Sequence, residues 1–466
     1  MLVVLSVAGF VNFGFFHAST GQVVHYWDAF HYFVGAKYLP ELGYTGLYEG
    51  AWVAGREMGA FADVAWIRDL PTYQVRDVRS IDAAAVRARF TAERWRAFKA
   101  DLLVFGPRIP DWRRLFLDHG YNDPPPRARL LHLLVRWLPA APATLIALSL
   151  VDYVLIGVAL WLARRAFGPL AGAVAAAFFL LSFFGRFDFI GGSILRWDWI
   201  AALVAGTAAF ARGAGATAGV LFGYAALARL FPLLFLVPLA IKWLQSRRAG
   251  VPDRTLNRCL GAAGGVLLVV VVTVALAGDR AALAEFGAKI LLHADTAFTN
   301  HVGLRSWLVF HAAPWIVADG MHAVDPVAMA AARPPSWVAP AASALYLAIA
   351  LPLIARAPAL PSMMYAVPLV YCALSPAGYY YSFLVLLVLL PWHRGVPDRI
   401  RLLGMALLAL AGAGAYALEI ADDDVLPLFH AASMLIGVYF AAWLTLEYAR
   451  LRRPAVPLTA VAEGPR

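Results

Sequence analysis

The chain opens with MLVVLSVAGFVNFGFFH (residues 1–17) and, seven residues on, reads HYWDAFHYFVGAKYLPELGYTGLYE (25–49). The first stretch is apolar and just long enough to cross a bilayer if its ends reach the interface. It lacks the basic n-region and small-residue cleavage site of a signal peptide, so it reads as a first span. The second stretch then sets a carboxylate, Asp28, among aromatic and basic residues where a span would meet water. Trp27, Tyr26 and Tyr32 are residues of an interfacial belt, so an anchoring role is the plain reading. Asp28 and His31 would share a face of a helix, and a carboxylate partly withdrawn from water can serve as a general base toward a hydroxyl.

Working outward, 62% of the 466 residues are hydrophobic and the mean hydropathy is +0.68. That is well above the ~45–50% apolar share of soluble domains, and the expected fold class is an all-α polytopic membrane protein. Further apolar segments recur at 142–163, 167–184, 198–211, 214–228, 230–244, 259–277, 338–355, 359–374, 382–392, 401–418 and 426–446. With the first they predict about 12 spans in one domain covering 1–466. Arg212 precedes the 214–244 pair, Lys242 lies at its end, and Arg247 and Arg248 follow it. Cytoplasmic loops collect such cations, so the pair reads as a hairpin with Arg229 at its outer tip. Continued alternation puts both termini inside.

Two long loops then face outward, 18–136 and 278–337. The first holds 16 Lys/Arg and 13 Asp/Glu, which the positive-inside rule tolerates in long loops. Within it 60–117 shows helical periodicity, with Trp95, Phe98 and Leu102 on one stripe, as for an amphipathic helix on the membrane or on the spans. The net charge of +10 fits topology. No basic stripe interleaved with aromatics points to nucleic acid. Cys259 and Cys372 fall in or beside different apolar segments and imply no disulfide framework.

On the outer face, DHGYNDPPPRARLLHLLVRWLP (118–139) offers Asp118, His119, Tyr121, Asn122 and Asp123 as candidates to line an acceptor site. It serves equally as a rigid turn into the bilayer. Asp152 lies inside an expected span, where a charge costs roughly 2.5–3.5 kcal/mol, so it either pairs in the bundle or borders a cavity. Arg196 and Asp198, Arg229, Lys289 and Arg305 supply charges near the outer leaflet, and arginine presents fixed donors to phosphate oxygens. Loop ion pairs would use the same residues. His293, Asp295 and His301 lack an HExxH or CxxC companion, and no DxD flanks Asp28. Neither a metal nor another cofactor is implied.

Several segments together resemble the GT-C superfamily of membrane glycosyltransferases, in particular bacterial polyprenyl-phosphate-mannose-dependent α-mannosyltransferases. They are WDAFHYFVGAKYL…GYTGLYE, YNDPPPRARLLHLLVRWLP, GGSILRWDWIAALVAG, GYAALARLFPLLFLVPL, TNHVGLRSW and SPAGYYYSFLVLLVLLPW, in family order along most of the chain. The resemblance implies an inverting transferase in the bacterial cytoplasmic membrane. It would move a sugar, mannose first, from polyprenyl phosphate to a lipid-linked or glycan acceptor on the extracytoplasmic side. It casts Asp28 as the base and Arg229 as the basic residue beside it, with His31, Lys37, Tyr48, His301 and Tyr380 as neighbours. The chain departs from the pattern at RWDW, where a Gln-Asn pair is usual, and at AGYYY in place of a Trp/His-rich turn. Two other readings accommodate many spans and large outer loops: a polysaccharide polymerase or ligase, and a non-catalytic lipid or polysaccharide transporter.

Overall fold

The computed structural model describes residues 1–276, 280–295, 300–312, 334–393, 397–421 and 425–452, about 75% of the chain being helical. Among the described residues, five helices are long and apolar enough to cross a membrane: Pro142–Phe167, Arg254–Val274, Val338–Arg356, Arg399–Ala421 and Leu428–Leu451. At 1.5 Å per residue the first of these is about 39 Å long, enough for a ~30 Å hydrocarbon core. Their outward residues are apolar yet exposed, for example Leu150, Val154, Val158 and Trp161, or Leu268 and Val269. Lipid is the solvent that suits such a surface. The protein is membrane-embedded.

The other apolar segments form shorter pieces. Pro169–Leu181 and Phe183–Ile190 would make a sixth crossing bent by 68°. Asp198–Ala211, Gly215–Ala228, Ala359–Ala373 and Gly378–Trp392 are 14 to 15 residues each, about 21–23 Å of helix, too short to span alone. The expected first span is likewise cut to Leu2–Phe10. Asn12 and Phe13 take positive φ of 50° and 54°, and the Asn12 amide donates to Phe16 O at 2.6 Å and to Asp188 at 2.8 Å. A polar side chain bonding to its own loop competes with helix continuation.

Two apolar cores result. One gathers the membrane helices, with Trp197, Trp199, Phe222, Tyr365, Phe383 and Trp443 among its buried residues. The other is built mainly from the first loop, with Phe30, Tyr48, Trp95, Phe98 and Tyr121, and also takes in Leu145, Ile194, Leu195 and Phe286. Ala92–Phe105 forms behind a Thr91 N-cap and buries Trp95, Phe98 and Leu102 as the stripe predicts. The rest of 60–117 is not one helix. It contains the antiparallel strands Trp66–Arg68 and Val75–Asp77 and several short turns. Of the second expected loop, 278–279, 296–299 and 313–333 lie outside the described residues.

Candidate active site

The site forms where the first loop meets the turn before Asp198–Ala211. His25 caps the short helix Tyr26–Ala29, its Nδ1 accepting from the Asp28 amide at 3.1 Å. Phe30–Val34 then widens into a π-helical turn, a feature common at functional positions. Opposite, Gly192 sits at φ +73°, its carbonyl accepting from His25 N at 3.1 Å. A Cβ there would fall 1.8 Å from Val23 O, so only glycine lets the two segments approach. Leu195 takes a strained φ of 51°. Asp152 secures this turn by accepting from the backbone amides of Arg196 at 2.6 Å and Trp197 at 3.2 Å. The carboxylate inside the 142–167 helix therefore anchors a turn.

That turn delivers Arg196 to Asp28. Its Nε lies 3.3 Å from Asp28 Oδ1, its Nη2 donates to the Tyr379 hydroxyl at 2.6 Å, and its guanidinium stacks 4.1 Å above the Tyr32 ring. Burial pushes the Asp28 carboxyl up, and the charges of Arg196 and then His31 oppose the rise. Arg229 approaches Tyr32 as well, at 5.8 Å, and stands 6.0 Å from the Tyr380 ring. It follows the end of Gly215–Ala228 in extended conformation and donates Nη1 to Asp123 Oδ1 at 2.5 Å.

Asp123 is fixed by the prolines after it. Pro124 is extended, Pro125 opens the helix Pro125–Val135, and Arg127 lands four residues past Asp123 to pair with its Oδ2. Arg127 Nε also donates to Asp198 Oδ2 at 3.0 Å, and the Tyr224 hydroxyl donates to the same oxygen at 2.7 Å. The result is a buried row of alternating charge, Arg229–Asp123–Arg127–Asp198. Within this assembly Asp28 Oδ2, Arg196 Nη1, and Arg229 Nε and Nη2 are buried and lack a well-formed hydrogen bond among the described residues, as do Arg127 Nη1 and Nη2 and Asp198 Oδ1 farther along the row, while the Ser193 hydroxyl lies near enough to Asp28 to lower its carboxyl. One acceptor oxygen and three cationic donors are thus unspent around Tyr32. Such a set suits an anion beside a group that yields a proton.

The remaining candidates form a neighbouring cluster. Asp118 accepts from Trp27 Nε1 at 2.6 Å and from the His119 amide at 2.8 Å, and His31 Nδ1 lies 4.0 Å from it. His31 Nε2 is 2.8 Å from the Tyr48 hydroxyl, which also accepts from Gly120 N at 3.0 Å. Lys289 bonds the carbonyls of Tyr44 and Tyr121 at 2.8 and 2.9 Å, and burial lowers it to about 7. His293, lowered to about 4 by burial, sits with its ring 6.0 Å from those of His119 and His301. Backbone pairing of His301 with Ala377 lays this segment beside Tyr379 and Tyr380. Asn122 is half-buried, and Tyr121 packs edge-on to Tyr32 at 5.6 Å. The side chain of Asp295 lies outside the described residues. Among the described residues, no group of three His, Cys, Asp or Glu could hold a metal ion.

Two candidates fall elsewhere. Lys37 pairs with Asp101 at 2.6 Å and donates to Leu138 O at 2.7 Å, a buried bolt between parts of the first loop. Arg305 is half-buried and lines a separate pocket with Pro334, Ser336 and Cys372. The residues not singled out as candidates in the sequence are Arg127, Tyr379 and His25. Asp-Pro-Pro-Pro-Arg was a usable signal for Arg127, because proline at a helix start puts the arginine one turn from the aspartate. No family model matches the chain, and no curated protein matches it.

Proposed function

We propose that the protein is an inverting glycosyltransferase. It takes a sugar, mannose first, from a polyprenyl-phosphate donor and passes it to a hydroxyl of a lipid-linked or glycan acceptor at the outer face of a bacterial cytoplasmic membrane. One observation carries this reading: the unspent oxygen of buried Asp28 lies beside two guanidiniums that keep unspent buried N–H groups. The order of GT-C-like segments and the long apolar helices of the bundle support it.

In the reaction Asp28 Oδ2 accepts the acceptor hydroxyl's proton as the oxygen bonds the anomeric carbon. The bond from that carbon to the donor phosphate breaks, and the electron pair leaves on polyprenyl phosphate. Arg196 and Arg229 meet the charge that develops there, which is where preorganised donors accelerate a reaction. The ion pair with Arg196 opposes the rise that burial imposes on the Asp28 carboxyl. The test uses purified protein with labelled polyprenyl-phosphate sugar and extracted lipid acceptors. Asp28→Asn should reduce transfer by about 10²–10⁴-fold, the usual contribution of general base catalysis, and undiminished transfer sinks the assignment.

A further inference from the structure

We infer that Arg127 is a positioning residue that sets the strength of the anion site without touching the anion. The inference rests on the reading of Arg229 as a phosphate-holding cation. Asp123 is wholly buried and divides its two oxygens, Oδ1 to Arg229 and Oδ2 to Arg127. Arg127, also buried, is shared in turn between Asp123 and Asp198. Along this row two positive charges balance two negative ones. Each carboxylate is partly satisfied by Arg127, so Arg229 is held by one nitrogen and keeps Nε and Nη2 for another partner.

Without Arg127 the row carries an excess negative charge beside the anion site. Asp123 would then turn its whole carboxylate on Arg229, competing with the ligand for the same donors. Neutralising Asp123 as well removes both effects, leaving Arg229 to face the anion with Asp198 as counter-charge. Tighter binding in Asp123→Asn separates an electrostatic role from that of a bolt, because taking one member out of a structural ion pair leaves a buried charge uncompensated and only loosens the fold.

The experiment measures binding of farnesyl phosphate, a short prenyl monophosphate, to the full chain purified in detergent. Arg127→Gln should weaken binding about tenfold or more, the scale of one unit charge a few ångströms away. Arg127→Lys should stay within about threefold of the native protein, since it keeps the charge. Asp123→Asn alone should bind more tightly, and Asp123→Asn with Arg127→Gln should return to within about threefold of native. Unchanged affinity in Arg127→Gln overturns the inference, as does a double variant weaker than the single one. If Arg127→Gln elutes aggregated, Asp123→Asn decides: weaker binding there overturns it. Native protein that does not bind farnesyl phosphate also overturns it. Binding that follows this cycle in a protein showing no sugar transfer refutes the transferase reading and leaves the role of Arg127 standing.

Discussion

Replacing Arg229 by methionine removes a cation whose Nε and Nη2 are unspent, while Asp123 keeps Arg127 as partner. A hydrogen bond to a charged group contributes about 1.5–3 kcal/mol. Two such bonds to a phosphate that gains charge as the sugar departs therefore amount to about 3–6 kcal/mol. At about 1.4 kcal/mol per decade the loss is ~10²–10⁴ in kcat/KM for the donor. Arg229→Lys should recover part of it, because an ammonium can serve either Asp123 or phosphate but cannot fork between them. The assay is transfer from labelled polyprenyl-phosphate sugar at subsaturating donor, with thermal unfolding measured in the same detergent. A loss of less than about threefold in Arg229→Met with unchanged unfolding refutes the assignment of these N–H groups to the donor.

Two further outcomes follow from charge and burial. Arg196→Gln removes the cation that holds Asp28 down, so burial is less opposed and the carboxyl rises. The base works deprotonated, so the acidic limb of kcat/KM should move to higher pH; an unmoved limb counts against Asp28 as base. Lys289 is lowered to about 7 in the folded protein from 10.5. Between these values the unfolded chain binds the extra proton, so stability should rise as pH increases from about 7 to 10.5 and be weakest below about 7. Lys289→Met should flatten that dependence in thermal unfolding at several pH values, and an unchanged slope would remove Lys289 from the account.

How much of this was legible depended on the range of the interaction. Apolar runs revealed a membrane protein because composition is local, but they overstated helix length. Nothing in 1–17 shows that Asn12 will bond to Phe16 and to Asp188. Asp28, Asp123, Arg196, Asp198 and Arg229 stand out in the sequence as charges on the expected outer face, and the fold gathers all five. Lys37, a neighbour of the site by the resemblance, and Lys289, a cation expected near the outer leaflet, are buried ties to Asp101 and to two backbone carbonyls. Residue type identifies a charge that needs a partner. Whether that partner is 64 residues away or a substrate is decided only by packing.

The membrane protein holds a second buried ionic cluster, and comparing the two clarifies what the first is for. Near the end of the last two helices, Glu447 accepts from Arg401 at 2.9 and 3.3 Å, from Arg450 at 3.1 Å and from Tyr365 at 2.8 Å. No side-chain atom of Glu447, Arg401, Arg450 or Tyr365 is left buried without a partner. Such satisfaction is the condition under which a buried pair is tolerated as scaffold. Around Tyr32, by contrast, buried donors on Arg196 and Arg229 and an oxygen of Asp28 remain unspent. Each unmet buried group costs about 1–3 kcal/mol or more. Packing alone offers no return for that cost, since apolar residues of similar volume often replace a buried ion pair without loss. An anion that takes up these donors would supply the return, as the proposed phosphate leaving group would while its charge grows.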